Sequence, residues 1–211
     1  QLGKDGNVYR QEYEKLTVAI EKFFWDEEKG AYIDSFTSGK RNVTRHANIF
    51  AVLFSIADKE KQEKILTNVL ENEKIPAITT PYFNFFELDV LCQMGKLQEV
   101  LDKIRSYWGG MLDLGAVTFW EEYDPSVPKE EQYDMYGDHF GKSLCHAWAA
   151  SPIYFLAKYF AGLDLVNKDG VTYVLKPQMQ YFTELDCTLP VGSNGVMRLV
   201  WDGEILEITP N

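Results

Sequence analysis

The sequence has little of what most readily announces a function. Cysteine is scarce: Cys92, Cys145 and Cys187 make three in 211 residues. An odd count without a CxxC spacing argues against a full disulfide framework, and no thiolate metal site is expected. The three histidines, His46, His139 and His146, are too scattered to suggest a metal centre. Basic charge is also short, with 21 Lys and Arg against 32 Asp and Glu and a net charge of -11. That field repels a phosphate backbone, so nucleic acid is not an expected partner.

No apolar run reaches the roughly 20 residues that span a bilayer, so no membrane role is expected. A phosphate-binding glycine loop, a Ser-His-Asp order and a nucleotide motif are all missing, as is a repeat of fixed period. The chain opens Gln1-Leu2-Gly3, with neither Met nor a leader. This start suggests an excised or processed chain and leaves the compartment open.

What is present is an ordinary globular composition, 45% hydrophobic and 25% charged, long enough for a core without staples. Aromatics are high at 14%. An acidic, aromatic-rich surface suits neutral polyols such as sugars, though core packing alone also reaches this fraction.

Periodicity predicts alternating kinds of helix. Residues 11–24 read as amphipathic, with Tyr13, Leu16, Ile20 and Phe23 on one face. Residues 45–57 are apolar all round and so call for burial on both sides. Residues 59–72 are amphipathic again, with Asp58 as N-cap. Thr80-Pro81 opens a mostly apolar helix that ends before Gly95. Residues 97–108 are amphipathic, and 142–160 form a last apolar helix that either kinks or restarts at Ser151-Pro152. Buried and amphipathic helices in alternation are what two concentric helical layers produce, and a helical solenoid gives a similar pattern. After Gly162 the period changes to that of strands, at 171–175, 199–201 and 205–209, with Ser193-Asn194-Gly195 as a turn. The expected division is therefore 1–164 helical and 165–211 the beginning of a β domain. A sheet this short needs a covering partner.

The richest chemistry lies in Gly115-Ala116-Val117-Thr118-Phe119-Trp120-Glu121-Glu122-Tyr123-Asp124. A carboxylate among aromatics is partly desolvated, which suits proton transfer. The alternative is a loop acid beside a packed Trp. His146, in Ser143-Leu144-Cys145-His146-Ala147-Trp148, is either a satisfied core residue or, at the start of an inner helix, a group at a barrel mouth. His46 stands at a comparable place. Glu87, seven residues along an apolar helix, needs a salt bridge or a site. It shares a face with Asn84.

These two segments, with Thr80-Pro81-Tyr82-Phe83-Asn84-Phe85-Phe86-Glu87, resemble the late part of the bacterial α-L-rhamnosidases, glycoside hydrolase family 78. The Trp-Glu and Ser-Leu-x-His pair, about two dozen residues apart, carries the likeness. The resemblance implies a mainly α fold, part of an (α/α)6 barrel followed by the first strands of a β-sandwich. It implies Glu121 as the general base that activates water, with His146 beside the sugar and Trp120 and Trp148 as stacking walls. Glu87 is expected among the substrate-binding residues. Val117 stands where Thr is usual, and Glu122 where Arg is frequent. The family's general acid lies in an upstream segment rich in Asp, Arg and Trp, which these residues lack.

The expectation is thus the C-terminal half of the barrel of an inverting hydrolase that removes terminal α-L-rhamnose from glycans. It implies no metal or organic cofactor, and a carbohydrate substrate. Self-association through the exposed half-barrel face is expected, as is inactivity of the chain alone. Two rivals remain. One is a helical-barrel enzyme on another sugar, including a lyase using Tyr or His from the Tyr-rich loop 133–139. The other is a non-catalytic helical binding module.

Overall fold

A computed structural model of the chain describes residues 5–165 and 172–210. Two compact units emerge, Gln1–Thr79 with Phe83–Val90, and Thr80–Tyr82 with Leu91–Asn211. The expected division at 164/165 follows another criterion, the change from helix to strand, which falls inside the second unit at Leu163.

The first unit opens with α1 (Asn7–Phe24), longer at its start than the periodicity predicts. A tight hairpin of β1 (Trp25–Asp26) and β2 (Ala31–Tyr32) follows. The expected apolar stripe of α1 is not covered: none of its residues is buried, and Tyr13, Leu16 and Phe23 are exposed. Next comes α2 (Arg45–Leu53), with Ile49, Ala51 and Val52 buried. It stops four residues short of the expected end. Ser55 turns left-handed at φ 55, and the amides of Ile56 and Ala57 fold back onto Ala51 O. Asn48, fully buried on α2, locks the hairpin to the helix. Its Oδ1 accepts from Tyr32 N at 2.8 Å, and its Nδ2 donates to Tyr32 O and Thr44 O at 2.9 and 2.8 Å.

The predicted cap of α3 (Lys59–Ile65) is present, with Asp58 Oδ1 accepting from Lys61 N at 2.9 Å. The helix continues as a wider π turn, Leu66–Leu70. The last helix to begin before the second unit's main run is α4 (Pro81–Gln93), which starts at the predicted Pro and ends before Gly95, a left-handed residue at φ 76.

In the second unit, α5 (Leu97–Lys103) runs through a π turn (Ile104–Trp108) into α6 (Gly109–Asp113). The predicted helix over 142–160 is only partly helical. A 3₁₀ turn covers Ala147–Ala149, α7 spans Ser151–Phe155, and a π turn completes Leu156–Phe160. Pro152, without an N–H, sits in the first turn of α7, where it is tolerated. Residues 143–146 instead bond sideways to an earlier loop.

After Gly162 the strands begin. β3 (Leu163–Leu165) pairs with β4 (Tyr173–Leu175), and β5 (Leu185–Val191), β6 (Gly195–Trp201) and β7 (Leu206–Pro210) form an antiparallel sheet in that order. Val171, expected to open a strand, lies outside the described residues. Strand β5 was not predicted, because Pro190 and Asp186 obscure its alternation. It is an edge strand, where Pro is tolerated. These strands do not wait for another molecule, as the sequence suggested. They pair with one another, and Leu189 and Leu199 bury one face against Ala161 at the end of the last helical turn.

Candidate active site

Two loops of the second unit are drawn together by the backbone. Glu121 N donates to Ser143 O at 2.9 Å, and His146 N donates to Phe119 O at 2.8 Å. Thr118 Oγ1 donates to Leu144 O. The two motifs, two dozen residues apart in sequence, are thereby laid side by side. The 118–121 segment follows α6, whose end is closed by Ala116 N on Met111 O. Beyond it, Tyr123 packs edge-on against Tyr107, and its amide donates to Tyr107 Oη at 3.1 Å. Gly110 makes room for that ring, since a Cβ there would lie 2.4 Å from Tyr123 Oη.

Glu121 is 6% exposed. Each carboxylate oxygen has its own donor. Oε2 accepts from Ser143 N at 3.0 Å, with His146 Nδ1 3.8 Å away, and Oε1 accepts from the Tyr136 hydroxyl at 3.1 Å. That bond, with the carboxylate's charge beside it, pushes the Tyr136 phenol above its ordinary value. The backbone carbonyl of Glu121 takes the Trp148 indole N–H at 3.3 Å. Lys142 is close by and almost buried. Desolvation lowers its ammonium, against the pull of Glu122, Asp124, Asp134 and Glu121.

The aromatic surroundings divide by exposure. Trp120 is only 3% exposed and meets Tyr133 edge-on, with centroids 5.6 Å apart. It supports the loop from behind, so the expected stacking role does not suit it. Trp148 is 43% exposed, lies against the His146 ring at 4.1 Å, and has Tyr82 5.6 Å away. The structure thus brings Glu121, His146 and Trp148 together. His146 is not the first residue of a long helix. Its backbone is extended, and it precedes the 3₁₀ turn. Sequence reasoning missed Tyr82 and Ser143, and saw Tyr136 only as part of a Tyr-rich loop. The signal for Tyr136 was the Tyr-Gly pair between two acids.

Glu87 belongs to the first unit and takes the salt-bridge alternative. It is 2% exposed, and Arg45 Nη1 donates to its Oε1 at 3.1 Å while also reaching Leu70 O at 2.9 Å. Asn84, one turn earlier, donates to Ile78 O at 3.1 Å. His46 lies edge-on against Phe83 at 4.5 Å.

Helical hairpins that carry a sequestered carboxylate beside open aromatic rings have the makings of a sugar-processing domain. A scan against protein families matches residues 2–160 to the bacterial alpha-L-rhamnosidase 6 hairpin glycosidase domain. The chain belongs to this family. Among solved structures it is similar to a rhamnosidase from Klebsiella oxytoca with rhamnose bound, with a TM-score of 0.63 and 32% identity. The likeness covers 72% of this chain and 28% of that one, so the chain spans little more than a quarter of that relative's length. A comparison with curated proteins gave no match. A six-hairpin domain is a helical barrel, so the expected fold class holds: mainly helical, part of an (α/α)6 barrel, with antiparallel strands following.

Proposed function

We propose that this chain is the general-base portion of an inverting glycoside hydrolase that removes terminal α-L-rhamnose from glycans. The observation that carries the reading is the setting of Glu121. One donor on each oxygen fixes the carboxylate, and lone pairs remain for a water, as general-base work requires. His146 and the open face of Trp148 lie beside it, where a sugar would make polar and stacking contacts. Inversion needs a second carboxyl about 6.5–9.5 Å from the first. The resemblance implies that acid in an upstream segment of the barrel, and on this reading the 211 residues supply one half of the pair. The resemblance implies no metal or organic cofactor for this reaction. Glu87, engaged with Arg45, takes no part in the chemistry on this reading.

A lyase using the Tyr-rich loop is less well supported. A lyase base needs an accessible phenolate, and the bond to Glu121 pushes the Tyr136 phenol the other way. Self-association through the exposed half-barrel face belongs to the same reading. Sedimentation that shows only monomers removes that partner.

The test is Glu121→Gln in the full-length enzyme. Loss of a general base costs about 10²–10⁴-fold in kcat, while rhamnose binding measured by calorimetry stays within a few-fold. Near-normal hydrolysis by the variant removes Glu121 from the mechanism.

A further inference from the structure

Tyr136 stands out for what does not hold it. Its side chain is 83% exposed, so core packing gives no reason for a large aromatic there. Its backbone is left-handed at φ 55, and Gly137 follows at φ 81. Met135 and Asp138 close the turn with reciprocal amide-to-carbonyl bonds of 3.0 Å each. Two consecutive left-handed residues inside such a closure make the two-residue hairpin turn that favours Asn, Asp or Gly at its first central position. A tyrosine there costs about 1–2 kcal/mol of local strain. Departures from local rules concentrate at functional sites.

The turn is also held in a fixed direction. Asp134 Oδ1 lies 2.6 Å from His139 Nδ1, and Lys142 N donates to Tyr133 O at 3.2 Å. Gly141 passes so close beneath the turn that a Cβ would lie 2.2 Å from Met135 O. The hairpin is therefore fastened to Ser143, the residue whose amide holds Glu121 Oε2. One continuous segment, 135–143, supplies a donor to each oxygen of the same carboxylate. Two donors on two oxygens remove the rotational freedom of the carboxylate plane, which a single donor leaves open.

We infer that Tyr136 is a positioning residue for Glu121, its hydroxyl fixing the plane of the carboxylate that activates the attacking water. This rests on the reading of Glu121 as the base. Misplacing a reacting group by about 1 Å can cost up to 10²-fold. Loss of one of the two fixing bonds is expected to fall short of that.

Tyr136→Phe removes only the hydroxyl, from a side chain already in solvent. In the full-length enzyme it is expected to lower kcat about tenfold, with KM within twofold and the melting temperature unchanged. Tyr136→Asn suits the turn better and should lower kcat at least as far, without loss of stability. On a Glu121→Gln background, Tyr136→Phe should add no further loss, because the tyrosine acts through the carboxylate. The phenol should titrate above the ordinary tyrosine value by ¹³C NMR, with its signal assigned by Tyr136→Phe. Glu121→Gln should bring it down. A kcat within twofold of wild type for Tyr136→Phe overturns the inference. So does the same tenfold loss on the Gln background, or a phenol titration indifferent to Glu121→Gln. Near-normal turnover by Glu121→Gln alone sinks the base reading and this inference with it. A crippled Glu121→Gln beside an unimpaired Tyr136→Phe sinks the tyrosine only.

Discussion

Glu87 and Glu121 are almost equally withdrawn from solvent, at 2% and 6% exposure, yet the two units treat them differently. Glu87 faces a guanidinium that is itself buried and tied to Leu70 O. Glu121 is held by a phenol and a backbone amide, with an imidazole at 3.8 Å and the half-open Trp148 beside it. Burial alone therefore does not mark a working acid. A buried carboxylate paired with a fixed cation belongs to the fold, because its charge is already answered. Glu121, held by neutral donors beside the half-open Trp148, has the setting that the proposed base role requires.

The comparison can be broken most forcefully at Glu87. Glu87→Gln leaves the Arg45 guanidinium buried without its counter-charge, and removal of one partner of a buried pair costs about 3–5 kcal/mol. Denaturant unfolding should show that loss. A variant of normal stability with weakened sugar binding would reverse the two glutamates' roles and restore the substrate-binding expectation for Glu87.

A smaller effect is expected at Gly110, beside the Glu121 loop. A Cβ there would stand 2.4–2.7 Å from atoms of the Tyr123 side chain, so Gly110→Ala must displace a ring that also packs on Tyr107. Overpacking of this kind costs about 1–3 kcal/mol, and turnover should fall as the loop shifts. At Gly109 a Cβ meets nothing within 4 Å. There the same substitution should stabilise the helix by roughly 0.5–1 kcal/mol. Equal melting temperatures for the two variants would mean that the loop does not rest on Tyr123.

The smallest effect sharpens the comparison through pH. Asp26 is another buried acid answered by a cation, with Arg41 Nε at 2.7 Å. Desolvation raises its carboxyl, but the Arg41 bond and charge and the amides of Glu28 and Lys29 outweigh it, so the net shift is downward. A depressed folded value means stability present above the unfolded value of about 3.9 and lost as pH falls through the folded one. Acid unfolding of Asp26→Asn should lose that part of its pH dependence, and an unchanged acid limb would deny the pairing. Arg41 is half exposed, so the effect is screened by salt.

Much of the scaffold was legible in the sequence. The Asp58 cap, the Pro81 start and the Gly95 stop are local signals, and local signals read directly. The errors came where distant parts decide. Residues 142–146 look helical by composition, but the Ser143 and Leu144 carbonyls and the His146 amide are taken by the 118–121 segment, and the Lys142 amide by Tyr133 O. Pro190 hides a strand that its edge position permits. At the site, the Trp-Glu motif pointed to a carboxylate that the fold sequesters beside His146 and Trp148. It could not say that Trp120 faces inward while Trp148 faces out. Tyr136 was invisible because the position inferred for it depends on a turn conformation that a tyrosine rarely adopts.

The ladder between 118–121 and 143–146 also has a consequence in polymer terms. It pinches off the intervening stretch, about twenty residues, as a closed loop whose ends are fixed beside the carboxylate. Closure entropy grows only logarithmically, so doubling such a loop costs about 0.6 kcal/mol. Its outer part can lengthen, shorten or change sequence while the pinch keeps Glu121 in place. The backbone position of Glu121 is thus mechanically separable from the outer loop, and the hairpin bearing Tyr136 ties the loop back to the carboxylate.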